Sequence, residues 1–374
     1  MAQAYSAGLT VTEQIVLKKE RRLPIKGKVL VKVGDIVKGE EVVAETLLPG
    51  KVYPFNLANK LGVIPNLVNQ YIQVKAGDKI KKGDVIAKTN GFFGLFKATA
   101  KSPIDGEIEN ISSVTGQMLL REPRIPIQLK AFMDGKIIEI IPDEGVVIQA
   151  KATYIQGIFG IAGEVIGKIN VLAKNPSDII TAADIKPEYK DSLIVTGALA
   201  PYDMILKAKE MGVAGIITGG LDDADLKKIL GYDIGVAITG HEKLGITIVV
   251  TEGFGKIKMA EKTFELLKQN HGNEASIHGK TQIRAGVMRP EIIITVDADT
   301  QAIVDEKPKV STLEIGTIIR VIREPNFGEI GTITSLPEEL KKVESETLVR
   351  ILMAKLGNGK EVLIPRANVE VIEN

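Results

Sequence analysis

The sequence predicts a multidomain α+β protein: a β-rich N-terminal region, a central α/β domain with a mostly parallel sheet, and a C-terminal β-barrel. Three observations lead to this. Gly-Asp and Asp-Gly pairs recur between short Val/Ile-rich segments from residue 25 to 172. From Ser192 the period changes, and buried-strand runs alternate with helical patterns. From Lys309 the chain returns to short apolar segments separated by glycine turns. At 374 residues it is too long for one ordinary domain. The expected division is an arm at 1–24, a β-rich domain at 25–172, a linker at 173–190, an α/β domain at 191–307 and a barrel at 308–374.

Composition narrows the function classes. Hydrophobic residues make up 44% and charged residues 25%, as in soluble globular proteins. Aromatics are only 4% and Trp is absent, so cores must be aliphatic and base-stacking platforms are scarce. The 48 basic and 47 acidic side chains leave a net charge of +1, with no global field to attract nucleic acid or an acidic membrane. The absence of Cys excludes disulfides, thiolate catalysis, iron–sulfur ligation and Cys-type zinc sites. The first residues show no charged segment followed by an apolar run, and no 18-residue apolar stretch occurs. A cytoplasmic location without a membrane partner is therefore expected. The Ile/Lys/Glu-rich composition leans thermophilic.

Along the chain, the charge run Lys18, Lys19, Glu20, Arg21, Arg22 reads as a solvated strand or arm, with a phosphate patch as the alternative. Two repeat types follow. VKVGDIVKGEEVVAE at 31–45 returns as VKAGDKIKKGDVIAKT at 74–89. SPIDGEIENI at 102–111 returns as AFMDGKIIEI at 131–140. A Gly-Asp turn places Gly where φ is positive and other residues are strained.

These repeats resemble the biotinyl/lipoyl-like barrel-sandwich hybrid family, in which a strand reading SPxxGxI faces a turn reading GDxVxxGDxIA. The likeness is greatest to the N-terminal domain of the RnfC/NqrA class of respiratory subunits. It implies a barrel-sandwich hybrid fold over 25–172. The carrier and electron-transfer chemistry of these relatives does not transfer. The segment lacks the MKM or DKA tip that holds a modifiable Lys, and the chain has no Cys and no Gly-rich flavin loop. No cofactor is expected.

Residues 53–71 interrupt the β pattern with helical spacing at Leu57, Leu61 and Ile64, broken by Pro65. The loop at 91–96, with Phe92 and Phe93, reads as core capping or as a partner-binding patch. In the central domain the pattern gives strands at 193–197, 213–218, 234–239 and 245–251. Helices are expected at 201–211, 222–230 and 257–269.

The C-terminal segment resembles a KOW-type SH3-like barrel. The matching residues are Gly316, the apolar run 318–322, the FGEIGTI turn at 327–333, the Gly357-Asn358-Gly359 hairpin and IPRANVEVI. The resemblance implies an RNA, ribosomal-protein or polymerase partner. Residues 308–374 hold nine Lys/Arg and ten Glu, which weighs against RNA and toward protein docking or a structural role. A shared face for Arg320, Arg323, Lys355 and Arg366 keeps the RNA alternative open; Arg320, Arg323, Phe327 and Arg366 complete the candidate docking residues.

Ligands of parallel sheets bind beyond the strands' carboxyl ends. Three loops are expected there, at Thr218-Gly219-Gly220, Thr239-Gly240-His241 and Thr251-Glu252-Gly253-Phe254-Gly255. They make Gly219, Gly220, His241, Gly253 and Gly255 candidates for anion binding, with Arg284 and Arg289 as a clamp. The alternative is that these glycines only make tight strand–helix turns. His241, His271 and His278 lack metal-ligand spacing, so no metal is expected. The leading expectation is a non-enzymatic adaptor or assembly protein whose β modules dock a protein partner. The alternatives are an enzyme or accessory subunit with a small anionic substrate, and an RNA-linked KOW protein. Homo-oligomerisation is compatible with each.

Overall fold

The two repeat types pair with each other, and the pairs are nested. In the computed structural model, residues 9–90, 98–231, 244–281, 288–299, 313–321, 326, 329–337, 340–342 and 348–371 are described. The 31–45 repeat closes against 131–140: Gly34 N donates to Ile137 O (2.8 Å) and Ile137 N to Asp35 O (2.8 Å). The 74–89 repeat closes the same way against 102–111, with Gly77 N to Ile108 O (2.7 Å) and Ile108 N to Asp78 O (2.9 Å). Each turn is also pinned by its aspartate, since Asp35 accepts from Lys32 N and Asp78 from Lys75 N, both at 2.8 Å. An inner unit, residues 50–122, is thus inserted into an outer one. The insertion point is the hairpin formed by strands Val42–Leu48 and Ile125–Lys130, in which Leu48 faces Ile125.

The inner unit has its own core of Leu57, Leu61, Val68, Ile86, Ile108, Met118 and Leu120. Helix Leu57–Leu61 and the 3-10 helix Pro65–Gln70 form where the 53–71 spacing places helical structure. Gly34 and Gly77 have φ of 95° and 91°. Neither would bring an added Cβ within 4 Å of another group, so any substitution penalty there is conformational. Gly34→Ala and Gly77→Ala are expected to cost about 1–2 kcal/mol each, the left-handed penalty of an L-residue. Urea unfolding checks this, and an unchanged midpoint in either variant contradicts the equivalence of the turns.

The charge run at 18–22 lies on a strand with one solvated face, not on a free arm. Strand Val11–Arg22 pairs antiparallel with Gly145–Gln156 along its length. Its period of two sends Lys18, Glu20 and Arg22 outward and Lys19 and Arg21 inward. Arg21 grips Glu164 with both terminal nitrogens (2.5 and 2.7 Å) and lies 5.2 Å from the Phe132 ring centroid. Lys19 pairs with Glu291, which also accepts from Tyr154 Oη (3.1 Å).

The boundary expected at residue 172 falls inside a sheet. Among the described residues, eleven strands form this sheet. Strand Glu164–Val171 runs parallel to Leu193–Val195, which runs parallel to Gly215–Leu221 and then Thr247–Phe254. On its other side, Glu164–Val171 pairs antiparallel with Glu274–His278, then Glu291–Asp297 and Gly145–Gln156. Both faces are covered. Ile292 and Ile294 enter the α/β core, whereas Ile293 enters the core of the outer unit with Phe132, Ile148 and Ala152. The segment expected as a linker packs too: Ile180 and Ile185 are buried in the α/β core, and Asp178 and Asp184 accept backbone N–H groups of the turns beside them.

Helices Tyr202–Glu210 and Asp223–Leu230 form where expected. Asp222 caps the second by accepting from Ala224 N and Asp225 N, and Gly231 ends it at φ 78°. The third helix, Glu261–Gln269, starts four residues later than its pattern suggests. The expected strand at 234–239 lies outside the described residues. The C-terminal strands form a separate sheet around Ile319, Ile333, Leu352, Ala354 and Val369. None of the described helices is long and apolar enough to cross a membrane.

Candidate functional site

The carboxyl ends of strands Leu193–Val195, Gly215–Leu221 and Thr247–Phe254 converge at the place expected to hold an anion. Thr218-Gly219-Gly220 and Thr251-Glu252-Gly253 are not loops there but the last residues of strands. The chain's own backbone fills the space beyond them. Gly219 N donates to Gly197 O (2.9 Å), Gly255 N to Leu221 O (2.8 Å), Ile257 N to Ala198 O (3.0 Å) and Met259 N to Pro176 O (3.1 Å). A Cβ on Gly220 would lie 1.9 Å from Gly255 O, and one on Gly219 2.5 Å from Ile257 O. These two glycines therefore allow backbone to pack on backbone. Residues 256–260 cross this surface in extended or bent form, which explains the late start of the helix at Glu261.

The helix N-terminus is served from within. Ala260 N donates to Glu252 Oε1 (3.0 Å), so a carboxylate of the chain occupies the position where an external anion was expected. Glu252 is buried, and its other oxygen accepts from Arg320 Nη2 (2.8 Å). Arg320 Nη1 reaches Glu370 Oε1 (3.1 Å), and Glu370 Oε2 receives Arg289 Nη2 (2.5 Å). Two guanidiniums and two carboxylates thus form one neutral chain between the α/β core and the C-terminal sheet. Arg320 and Glu370 are 2% and 0% exposed. Burial is the strongest influence on Glu370 and raises its pKa, while both guanidiniums pull it back. Burial also lowers Arg289, which stays charged beside Glu370.

These contacts reassign three of the expected site residues. Arg289 does not clamp an external anion; Glu370 neutralises it. Arg320 does not lie on a docking face; it is ion-paired inside. Arg366 spends its Nε on Ile351 O (2.9 Å) and its Nη2 on Pro337 O (2.8 Å), tying the C-terminal sheet together. Of the four cations expected to share a face, Lys355 is exposed and Arg323 is outside the described residues, as are Phe92, Phe93, His241, Arg284 and Phe327. Gly219, Gly220, Gly253 and Gly255 do come together, as turn and packing residues.

His271 accepts a hydrogen bond from Val171 N at Nδ1 (3.1 Å). His278 stands edge-on to Phe132, with centroids 6.2 Å apart, and burial lowers its pKa. Among the described residues, no group of three His, Asp or Glu is placed to hold a metal ion. Glu252 and Glu370, which organise the site, carry no motif in the sequence. Each stands alone in an apolar run, in IVVTEGF and NVEVI, and such an acid needs a buried partner. No protein-family model matches the chain, and no curated protein matches it.

Proposed function

We propose that the protein is a non-enzymatic adaptor or assembly protein that docks a protein partner through its β modules. We read the two nested N-terminal units as barrel-sandwich hybrids and the C-terminal sheet as an SH3-like barrel. The observation behind this reading is a pair of exposed aliphatic side chains at the end of the inner unit. Val114 is 85% exposed and Ile64 is 60% exposed. The two turns that carry them touch, because Gly116 packs against Pro65. The first turn is held by Gly116 N to Ser112 O (2.9 Å) and Ser112 N to Gln117 O (2.8 Å), and it is tied to the helix by Ala58 N to Gly116 O (3.0 Å). Apolar groups on pre-organised backbone bind at a low ordering cost. A partner offering an apolar pocket fits this pair. An RNA partner is less favoured, because Arg320 and Arg366 are engaged inside the molecule.

The test is co-purification from the native host with wild-type protein and an Ile64→Asp/Val114→Asp double variant. A defined partner retained by the wild type and lost by the variant, at unchanged melting temperature, is the expected result. Recovery of the same proteins with both forms, or of none with either, sinks the reading.

A further inference from the structure

A cavity of about 360 Å³ opens between the large sheet, the end of helix Glu261–Gln269 and the 131–134 turn of the outer unit. Its polar lining comes from Asp134, Asn270, Asn273, Glu274, Ser276 and Thr295. None of the expectations drawn from the sequence falls on it.

Ser276 is the residue that packing does not explain. Its neighbours Ala275 and Ile277 point into the α/β core, so the strand's alternation turns Ser276 to the opposite face, toward the cavity. It is 5% exposed. Its hydroxyl opens onto the cavity, and no hydrogen bond to a described residue holds it in place. Thr295, by contrast, donates to Asp134 O (3.1 Å).

The charge of the lining has one sign. Glu274 forms no ion pair within 4 Å among the described residues, although Lys38 is near enough to feel its charge, and no lining residue is a cation. Asp134 accepts from Gly39 N (2.8 Å) with one oxygen and from Lys38 Nζ (2.6 Å) with the other. Lys38 is the cation at the rim, and its side chain is 78% exposed. The helix ends here at Asn270, adding the negative pole of its dipole. A volume of this size falls within the range of small-molecule sites.

We infer that this cavity binds a small aliphatic ammonium ligand, with Glu274 and Asp134 as its charge partners and Ser276 as the hydroxyl that orients it. The ammonium takes the place of Lys38 on Asp134, and the Ser276 hydroxyl gains the partner it lacks. The site is separate from the surface around Val114, so either proposal stands or fails alone.

The experiment is calorimetric titration of the full chain with putrescine at low salt. Wild-type protein is expected to give saturable single-site binding that weakens as salt is added. Glu274→Gln is expected to weaken it at least tenfold, and Ser276→Val to remove it. Lys38→Ala is expected to tighten it by removing the competing ammonium. Glu274 is exposed, so its amide variant keeps the fold, and melting temperature checks both lining variants. Absence of saturable binding to the wild type overturns the inference. So does wild-type affinity in Glu274→Gln or in Ser276→Val, or loss of binding in Lys38→Ala.

Discussion

Replacing Arg320 with Met is expected to lower stability by about 3–5 kcal/mol, the range for breaking a buried ion pair from one side. The arginine bridges Glu252 and Glu370, which belong to different sheets. Without it, among the described residues Glu252 keeps the Ala260 N–H alone and Glu370 keeps Arg289 alone. Two buried carboxylates then share one cation. Urea unfolding of the full chain measures the loss, and a change below about 1 kcal/mol, the scale of a surface pair, contradicts this account. A double-mutant cycle sharpens it. Glu252→Gln keeps the acceptor for Ala260 N while removing the charge, so Arg320→Met/Glu252→Gln should cost less than the sum of the single changes. Additivity would mean that the two side chains do not act together.

Gly220→Ala is the second large effect, expected to cost about 3 kcal/mol or more, at the upper end of overpacking penalties. The new methyl meets Gly255 O at 1.9 Å and Ala198 O at 2.8 Å. Both are main-chain atoms in hydrogen-bonded segments, so no side chain can swing aside. Gly255→Ala is the control. Its Cβ meets nothing within 4 Å, and only its φ of 86° opposes substitution, so about 1–2 kcal/mol is expected. The order of the two thermal midpoints decides between roles for Gly220. If the glycine existed to let an anion approach, the alanine variant would fold normally and lose only binding.

The sequence makes the turns legible but not their partners. VKxGD and DGxIxxI identify both closures, because positive-φ glycine and a capping aspartate leave a local mark. Which repeat closes on which is a long-range matter, and the nested order emerges only from the structure. The strand Gly145–Gln156 reads as part of the N-terminal domain because an apolar run looks alike in a sandwich and in a sheet buried on both faces. The candidate site is hidden in the sequence for a related reason. A glycine needed for a ligand and one needed for a neighbouring carbonyl leave the same trace. Arg320 and Arg289 look like free cations until Glu252 and Glu370 are brought to them from distant segments. The lone acids in apolar runs were the available sign of a buried pairing.

The nesting of the two N-terminal units also sets an order of assembly. In the unfolded chain, the outer closure between Gly34 and Ile137 must span the whole inner unit, at a loop-closure cost that grows with length. The inner unit is contiguous, and its two ends meet where Glu122 N donates to Lys51 O (3.0 Å). Once it has folded, Leu48 and Ile125 are held as close as the two sides of a hairpin turn, and the outer strands need only zip. The inner unit is therefore expected to form first, and Gly77→Ala to slow the appearance of outer contacts that Gly77 never touches in stopped-flow refolding.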